Sequence, residues 1–270
     1  MEMNRFLVVY DPKRDVQPAL ELAAMIAWKV GASVHLYASI HHDAVRPKRD
    51  AEQVDKLLKQ QQKRLKKRLA PLAAEGVTVS YEVEWDKDWP HAAVRAATRH
   101  EADMVFKSSY KHSVSQRLLK PTSDWTLIRE CLCPVMLVKN SDRPAVPRIL
   151  AGIDISVRAE PYETLNDHIL DFSRQLVESE LAEVHVVNAF PDFRVKPKRK
   201  QLMEVSGLDR DHVHVKLGPP ERVLVEMAKR LEATLVIVGN SHRSGLAALM
   251  HPNTAEKILD KLSCNVLAMP

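Results

Sequence analysis

The stretch Leu235-Val236-Ile237-Val238-Gly239, near the end of the chain, decides the fold. It is a short apolar run, rich in β-branched residues and ended by a glycine, which is typical of a buried parallel strand. Residues 239–245, GNSHRSG, predict a loop, and Asn253-Thr254-Ala255-Glu256 is a capping-box pattern that predicts the start of a helix. A last strand is predicted over residues 265–269. A strand, a glycine-containing loop and a helix N-terminus in this order can hold a phosphate.

The same arrangement occurs a second time, earlier in the chain. Residues 89–138 align with residues 220–269 without a gap, with eleven identities in 50 positions. The ungapped length and the shared order of strand, loop, helix and strand indicate an internal duplication. We therefore predict two domains, 1–142 and 143–270, the second shortened between its second and third strands.

The order of predicted elements gives the fold class. Strands alternate with helices in both halves, which favours right-handed crossovers and a parallel sheet. Residues 77–85 and 212–217 alternate between polar and apolar side chains, so each is predicted to be an edge strand. We therefore predict an α/β fold in each half, with a five-stranded parallel sheet of order 3-2-1-4-5 and helices on both faces. A ligand crevice then lies at the carboxyl ends of the first and fourth strands, where the order reverses.

Composition and charge limit the classes of protein. The sequence has a net charge of +5 and shows neither a signal peptide nor an apolar run long enough to span a membrane, so we expect a cytoplasmic protein. Basic residues concentrate in 56–68 and 196–200. The first cluster lies on a predicted amphipathic helix, and we interpret it as a solvated outer face. Binding of nucleic acid is the alternative, which the aromatic content of only 5% disfavours.

Cysteine and histidine residues suggest further chemistry only weakly. Cys131, Cys133 and Cys264 are too few for a disulfide framework, so we interpret them as buried apolar residues, with a redox pair at Cys131 and Cys133 as the alternative. The stretch 41–43, HHD, is interpreted as a surface loop rather than a metal site. His212 and His214 share one face of an edge strand, with a two-histidine metal pair as the alternative. We assign no metal site.

Several short motifs are more specific than the α/β pattern. They are Val8-Val9-Tyr10-Asp11-Pro12, Pro121-Thr122-Ser123-Asp124-Trp125, Glu160-Pro161-Tyr162, residues 236–245, Asn253-Thr254-Ala255-Glu256 and Cys264-Asn265-Val266-Leu267. With these motifs the chain resembles the tandem-domain members of the universal stress protein family, over nearly its whole length. The resemblance implies adenine nucleotide alpha hydrolase-like domains and a role in surviving stress.

The resemblance also implies candidate binding residues. In nucleotide-binding members, an Asp after the first strand and a Gly-x₂-Gly-x₉-Gly-Ser/Thr loop hold the nucleotide. Asp154 matches that Asp and Gly239 the first Gly, whereas His242 and Pro252 stand at the second and third. The candidate ligand- or nucleotide-binding residues are Asp154, Gly239, His242, Arg243, Gly245, Asn253 and Thr254, together with Asp11 in the first half.

The departures from the loop pattern weaken the case for nucleotide. A phosphate nest needs backbone N–H groups in conformations that glycine adopts easily. His242 adds a side chain, and Pro252 has no N–H group. In the first half the four loop positions carry no glycine; they are Ser108, Lys111, Pro121 and Thr122.

We therefore expect a non-enzymatic stress-response protein that binds a small molecule or a protein partner and needs no cofactor. The sequence contains neither a G-x-S-x-G elbow nor a G-x-x-x-x-G-K-[ST] loop. The crevice could take a ligand larger or less charged than ATP. The alternative is binding or weak hydrolysis of ATP by the second domain. The halves are expected to pack as a pseudo-dimer through residues 135–138 and 266–269, with a further homodimer as an option.

Overall fold

The chain divides into two units, Glu2–Ser141 and Asp142–Pro270. The computed structural model describes residues 3–110, 123–140, 144, 146–156, 160, 162–178, 182–192, 194, 197–240, 258–259 and 261–270. Among these residues, no helix combines the length and the hydrophobicity that crossing a lipid bilayer requires.

The first unit is a parallel sheet with crossover helices. Its strands pair in the order β3-β2-β1-β4-β5, all parallel, which is the order expected from the sequence. The elements are β1 (Arg5–Val9), α1 (Pro18–Val30), β2 (Ser33–Ile40), α2 (Ala51–Ala74), β3 (Val79–Trp85), α3 (Trp89–Arg99), β4 (Met104–Ser108), α4 (Ser123–Glu130) and β5 (Val135–Val138).

The second unit repeats this plan with one shorter connection. Its strands pair in the order β8-β7-β6-β9-β10, again all parallel. The described elements are β6 (Arg148–Gly152), α5 (Tyr162–Glu178), β7 (Glu183–Phe190), α6 (Arg199–Ser206), β8 (Val213–Leu217), α7 (Pro220–Arg230), β9 (Leu235–Gly239) and β10 (Asn265–Met269). The helix between the second and third strands has 24 residues in the first unit (α2) and 8 in the second (α6).

The crossover rule places the helices. In the first unit, successive connections step towards β3 and then back towards β5, so right-handed crossovers put α1 and α2 on one face and α3 and α4 on the other. α1 begins with Pro18, where the missing N–H costs nothing, and ends at Gly31, whose φ of 73° is the left-handed conformation that favours glycine.

The central strands carry the core of each unit. β4 and β5 in the first unit and β10 in the second are buried along their whole length. The edge strand β3 contains no fully buried residue, which agrees with its alternating sequence. Cys131 and Cys264 are buried, and all three cysteines are free. Burial raises the pKa of the Cys133 thiol to about 11, which supports the apolar interpretation over a redox pair.

The duplication is visible in the backbone as well as in the sequence. Glu101 and Glu232, which correspond in the repeat alignment, are the only non-glycine residues with positive φ in the described part of the chain, at 46° and 50°. Each follows a helix, and each pairs with an arginine of its unit's first strand, Arg5 or Arg148. This conformation is rare for a residue with a side chain, so its recurrence at corresponding positions supports the internal duplication. The predicted pseudo-dimer of these halves stays a prediction.

Candidate functional site

The loop after β1 is held in a defined shape by its own side chains. The Asp11 carboxylate accepts a hydrogen bond from the Lys13 N–H at 2.9 Å, which closes an Asx turn. Gln17 ties the loop to the start of α1, because its side-chain oxygen accepts from the Asp11 N–H at 3.2 Å while its Nε2 donates to the Asp11 carbonyl at 2.8 Å. The predicted site residue Asp11 therefore sits on a rigid loop.

The second unit has the same Asx turn and the same side-chain amide contact, formed by different residues. The Asp154 carboxylate accepts from the Ser156 N–H at 2.9 Å. Asn166 takes the place of the glutamine, since its Oδ1 accepts from the Asp154 N–H at 3.1 Å and its Nδ2 donates to the Asp154 carbonyl at 2.7 Å. The residue with the amide side chain lies six residues after the aspartate in the first unit and twelve in the second.

At the end of the fourth strand the two units differ. In the first unit, the buried Ser108 hydroxyl accepts a hydrogen bond from the Ala19 N–H in the first turn of α1, at 3.1 Å. In the second, Gly239 stands at this position, and a Cβ built there would lie 2.3 Å from Cδ2 of Leu165 on α5. Close packing of α5 on the strand therefore requires Gly239, whether or not a phosphate binds.

A buried ion pair lies beside Ser108. The Lys107 Nζ is 2.6 Å from Oδ1 of Asp124, whose side chain is 1% exposed. Lys107 also donates to the Ser108 carbonyl at 2.9 Å, and the Ser109 hydroxyl donates to the other Asp124 oxygen at 2.6 Å. In the sequence alignment the second half has Val238 in place of Lys107, so it lacks this cation.

A cavity of about 1660 Å³ opens at the carboxyl ends of the first unit's strands. α2 forms one wall of it, and the ends of β1, β2 and β4 form its floor. It is the crevice expected where the strand order reverses. Its lining includes the apolar side chains of Val9, Pro12, Ile40, Leu57, Ala70 and Trp89.

The cavity is strongly cationic. Three carboxylates in the lining face eight basic side chains, and the carboxylates already have partners: Asp11 with Arg14 at 3.7 Å, Asp43 with Lys87 at 3.4 Å, and Asp86 with Arg95 outside the lining at 2.6 Å. The eight basic residues are Lys13, Arg14, Lys63, Arg64, Lys66, Lys67, Lys87 and Lys107.

Four of these cations have no carboxylate partner among the residues that the structure describes: Lys13, Lys63, Lys66 and Lys67. The last three lie on α2, so the basic face of this helix lines the mouth of the cavity. These three lysines are exposed, in agreement with the interpretation of a solvated face, and they also border the cavity. The signal in the sequence was the clustering of basic residues on one helix, but only packing shows what they face.

Two buried polar side chains in the lining lack a partner. Tyr10 is 2% exposed and Gln61 8% exposed, and neither the Tyr10 hydroxyl nor the Gln61 Nε2 has a hydrogen-bond partner among the described atoms. An unmatched buried donor costs about 1–3 kcal/mol. Both atoms are themselves closed off from solvent, so their unmatched donors are a cost to the folded state rather than surface that the cavity exposes.

The predicted site residues have different outcomes. Asp11 lines the cavity. Asp154 and Gly239 lie at the carboxyl ends of β6 and β9, the corresponding place in the second unit. His242, Arg243, Gly245, Asn253 and Thr254 lie outside the described residues. Sequence reasoning missed Tyr10, Gln61, Lys63, Lys66, Lys67 and Lys107.

The stretch 41–43, interpreted as a surface loop, also lines the cavity. His41 lies 3.6 Å from the Asp43 carboxylate, with its ring 5.7 Å from that of Trp85. These residues are not among the groups of three potential metal ligands found in the described part of the chain.

Comparisons with known proteins agree with this architecture. The universal stress protein E homolog of Haemophilus influenzae is 26% identical over 302 aligned residues, covering 100% of this chain and 98% of the relative. Universal stress protein E of Escherichia coli is 24% identical, covering 98% of this chain and 93% of its own. A putative universal stress protein from Pseudomonas aeruginosa has the same fold, with a TM-score of 0.77 at 21% identity, covering 99% and 93% of the two chains.

The family assignment rests on the two halves separately. The model of the universal stress protein family matches residues 2–139 and again residues 148–270. These matches cover most of the chain and coincide with the two repeated sheets. The protein therefore belongs to the universal stress protein family, with two of its domains in tandem.

Proposed function

We propose that this protein is a non-enzymatic, ligand-binding member of the family, and that its first half holds a polyanionic small molecule. The observation that supports this most directly is the lining of the cavity, with eight basic side chains against three carboxylates that already have partners. A phosphorylated or polycarboxylated molecule would neutralise the four unpaired lysines. Binding then adds ion pairs in a partly enclosed space, where they are stronger than on an open surface.

The shape of the cavity refines the class of ligand. Its volume of about 1660 Å³ is ample for a small molecule, since such sites usually measure roughly 300–1,000 Å³. The apolar lining suits a ligand with a hydrocarbon or aromatic part next to its anionic groups.

The same geometry favours a small molecule over nucleic acid. The basic residues of α2 share the lining of one cavity with apolar side chains, which suits a small molecule with both anionic and apolar parts. A nucleic-acid site would give binding that weakens steeply with salt. Titration of labelled RNA and DNA at low and moderate salt separates the two possibilities.

The test begins with mass spectrometry of the full-length protein under native conditions, to detect an anionic molecule that co-purifies. Affinity for inorganic tripolyphosphate is then measured for wild type and for the K63Q/K67Q variant. Its matched control is K56Q/K59Q, which removes the same charge from the same helix outside the cavity. We expect K63Q/K67Q to bind at least tenfold more weakly and the control to bind as wild type. Equal affinity of all three proteins would refute the site.

Binding of ATP in the second half is the alternative function, with Asp154, Gly239, Asn253 and Thr254 as its residues. Thermal unfolding with millimolar ATP and Mg²⁺ tests it, because a ligand at 100 times its dissociation constant stabilises a protein by about 2.7 kcal/mol. A shift that K63Q/K67Q preserves and Asp154→Ala abolishes would favour the second half. A shift lost in K63Q/K67Q would assign ATP to the first.

A further inference from the structure

A cluster of one carboxylate and two imidazoles lies at the amino ends of β7 and β8, the edge of the sheet opposite the ligand crevice. Glu183 opens β7, His185 follows two residues later, and His212 directly precedes β8. The Glu183 Oε1 is 3.0 Å from the His185 Nε2 and 3.9 Å from the His212 Nε2. One ligand atom from each residue lies within 4.8 Å of the others.

We propose that Glu183, His185 and His212 bind a divalent transition-metal ion such as Zn²⁺. Ligand atoms at the usual distance of about 2.0–2.1 Å from a tetrahedral zinc lie about 3.3 Å from one another. The two distances from the Glu183 Oε1 lie on either side of that value. The His185 and His212 rings are stacked with their planes 29° apart, so one ring must turn about its side-chain torsions before both Nε2 lone pairs point at the same ion. Three protein ligands leave the fourth position to water, as in open zinc sites.

The neighbouring residues orient the two imidazoles. The His212 Nδ1 lies 2.6 Å from the Asp209 Oδ1, and a carboxylate can only accept, so this nitrogen carries the proton. In neutral His212 the Nε2 therefore has a free lone pair. The His185 Nδ1 lies 3.2 Å from the His214 Nε2. Such outer partners fix the orientation of metal-binding histidines.

Binding requires a proton to move on His185. Without metal, its Nε2–H donates to Glu183, and its Nδ1 accepts from the His214 Nε2–H. When the metal takes the place of the Nε2 proton, His185 must carry its proton on Nδ1, and His214 must accept it through Nε2 with its own proton on Nδ1. Both rings thus change from the Nε2–H to the Nδ1–H tautomer. The His214 Nε2 proton passes to the His185 Nδ1, and the proton displaced from the His185 Nε2 reaches the His214 Nδ1 through solvent, so no proton is released overall.

Arg148 occupies one oxygen of the Glu183 carboxylate. Its Nε donates to the Glu183 Oε2 at 3.3 Å, which leaves Oε1 for the metal and favours monodentate binding. Glu183 and His212 are partly exposed, at 37% and 33%, so the site is open to solvent. Arg148 and the nearby Arg230 lower the affinity for a cation, which Asp209 partly offsets.

The first half has a related cluster with a different charge arrangement. His35 and His100 both approach the Glu82 Oε2, at 3.7 and 2.8 Å. However, the Arg99 guanidinium lies 2.5 Å from the other oxygen of Glu82, so a cation already neutralises this carboxylate at close range. The first cluster is therefore the internal control for the second.

The experiment uses the full-length protein without a histidine tag. Zn²⁺ is titrated by calorimetry, and Co²⁺ by visible absorption, which reports the geometry of the bound ion. The variants are His212→Gln, Asp209→Asn and, as the matched control, His100→Gln. Thermal unfolding without metal confirms that each variant folds.

Wild type is expected to bind one equivalent of Zn²⁺ at the second-half site and to give the intense absorption of four-coordinate Co²⁺. We expect His212→Gln to weaken binding at least 100-fold and Asp209→Asn about tenfold, with His100→Gln unchanged. Absence of binding in wild type, unchanged binding in His212→Gln, or loss only in His100→Gln would overturn the assignment.

Discussion

In the part of each half that the structure describes, the loop after the first strand has the same hydrogen-bonded form, whereas the side chains at the end of the fourth strand differ. Both aspartates, Asp11 and Asp154, close an Asx turn that a side-chain amide latches to the following helix. At the end of the fourth strand, the first half has a charged pair and a hydroxyl where the second has Val238 and Gly239. The comparison shows that the turn after the first strand is repeated in both halves, while the residues at the end of the fourth strand differ.

The largest expected effect is the loss of stability when the ion pair of Lys107 and Asp124 is broken. Lys107→Met leaves the Asp124 carboxylate buried without its cation, and breaking a buried pair in this way costs about 3–5 kcal/mol. The double variant K107V/D124A, which introduces the second half's residues, should recover most of that loss. Urea denaturation measures both, with hydrogen exchange showing that the change is confined to the first half. A double variant as unstable as the single one would contradict this explanation.

The next comparison substitutes the neighbouring position in each half. Gly239→Ala pushes a Cβ into Leu165, which should destabilise the second half by about 1–3 kcal/mol. Ser108→Ala loses one hydrogen bond to α1, worth about 1 kcal/mol.

Thermal unfolding measures both variants. Adding Leu165→Ala to Gly239→Ala serves as the control, because it removes the clash. If the double variant gains nothing over the sum of the two single changes, close packing is not the reason for the glycine.

The pH dependence of stability tests the histidine cluster of the first half, which lies at the other end of the sheet. Burial and the neighbouring His100 lower the pKa of His35 to about 4, against the action of Glu82. The unfolded chain therefore binds a proton at His35 near pH 6.5, whereas the folded chain binds it only near pH 4. The contribution of neutral His35 to the free energy of unfolding is fully present above pH 6.5. It falls by about 1–2 kcal/mol, after allowance for partial exposure, as the pH drops towards 4.

The measurement is the urea midpoint between pH 7 and pH 4 for wild type and His35→Gln. The variant should lose less stability than wild type over this range, because it has no proton to gain at that position. Parallel curves for the two proteins would show that other groups cause the pH dependence.

The smallest expected effect on stability comes from the positive-φ residues that the two halves share, Glu101 and Glu232. Glu101→Gly and Glu232→Gly relieve a left-handed conformation, but they also make the unfolded chain more flexible. The ion pairs with Arg5 and Arg148 are exposed and contribute little. Each variant should raise stability by less than about 1 kcal/mol, with the same sign in both halves. Opposite signs in thermal unfolding would show that the two positions are not equivalent.

The sequence predicted most of the fold and little of the site. Strand periodicity, the alternation with helices and the ungapped repeat led to the α/β halves, the edge strands and the place of Asp11. Lys107 and Asp124 were not predicted to pair, because they lie on different elements and no periodicity joins them. The glycine at 239 resembled part of a phosphate loop, but its neighbour Leu165 comes from a distant helix.

The histidine cluster shows the same limit. The alternation of residues 212–217 placed His212 and His214 on one strand face, which suggested at most a two-histidine pair. The partners of His212 come from β7 and from the turn at Asp209, and the pairing of β7 with β8 brings them together. Register between strands, which single-sequence patterns leave open, decides which side chains meet.

The length of α2 has a consequence for how this protein can change over evolutionary time. Its lysines belong to a connection between strands rather than to the strands themselves. Substitutions there can alter which molecules are accepted while the hydrophobic interior stays untouched, much as antibodies vary their loops on a constant framework. Relatives with the same sheet could therefore recognise unrelated compounds simply by carrying a different helix at this point of the chain.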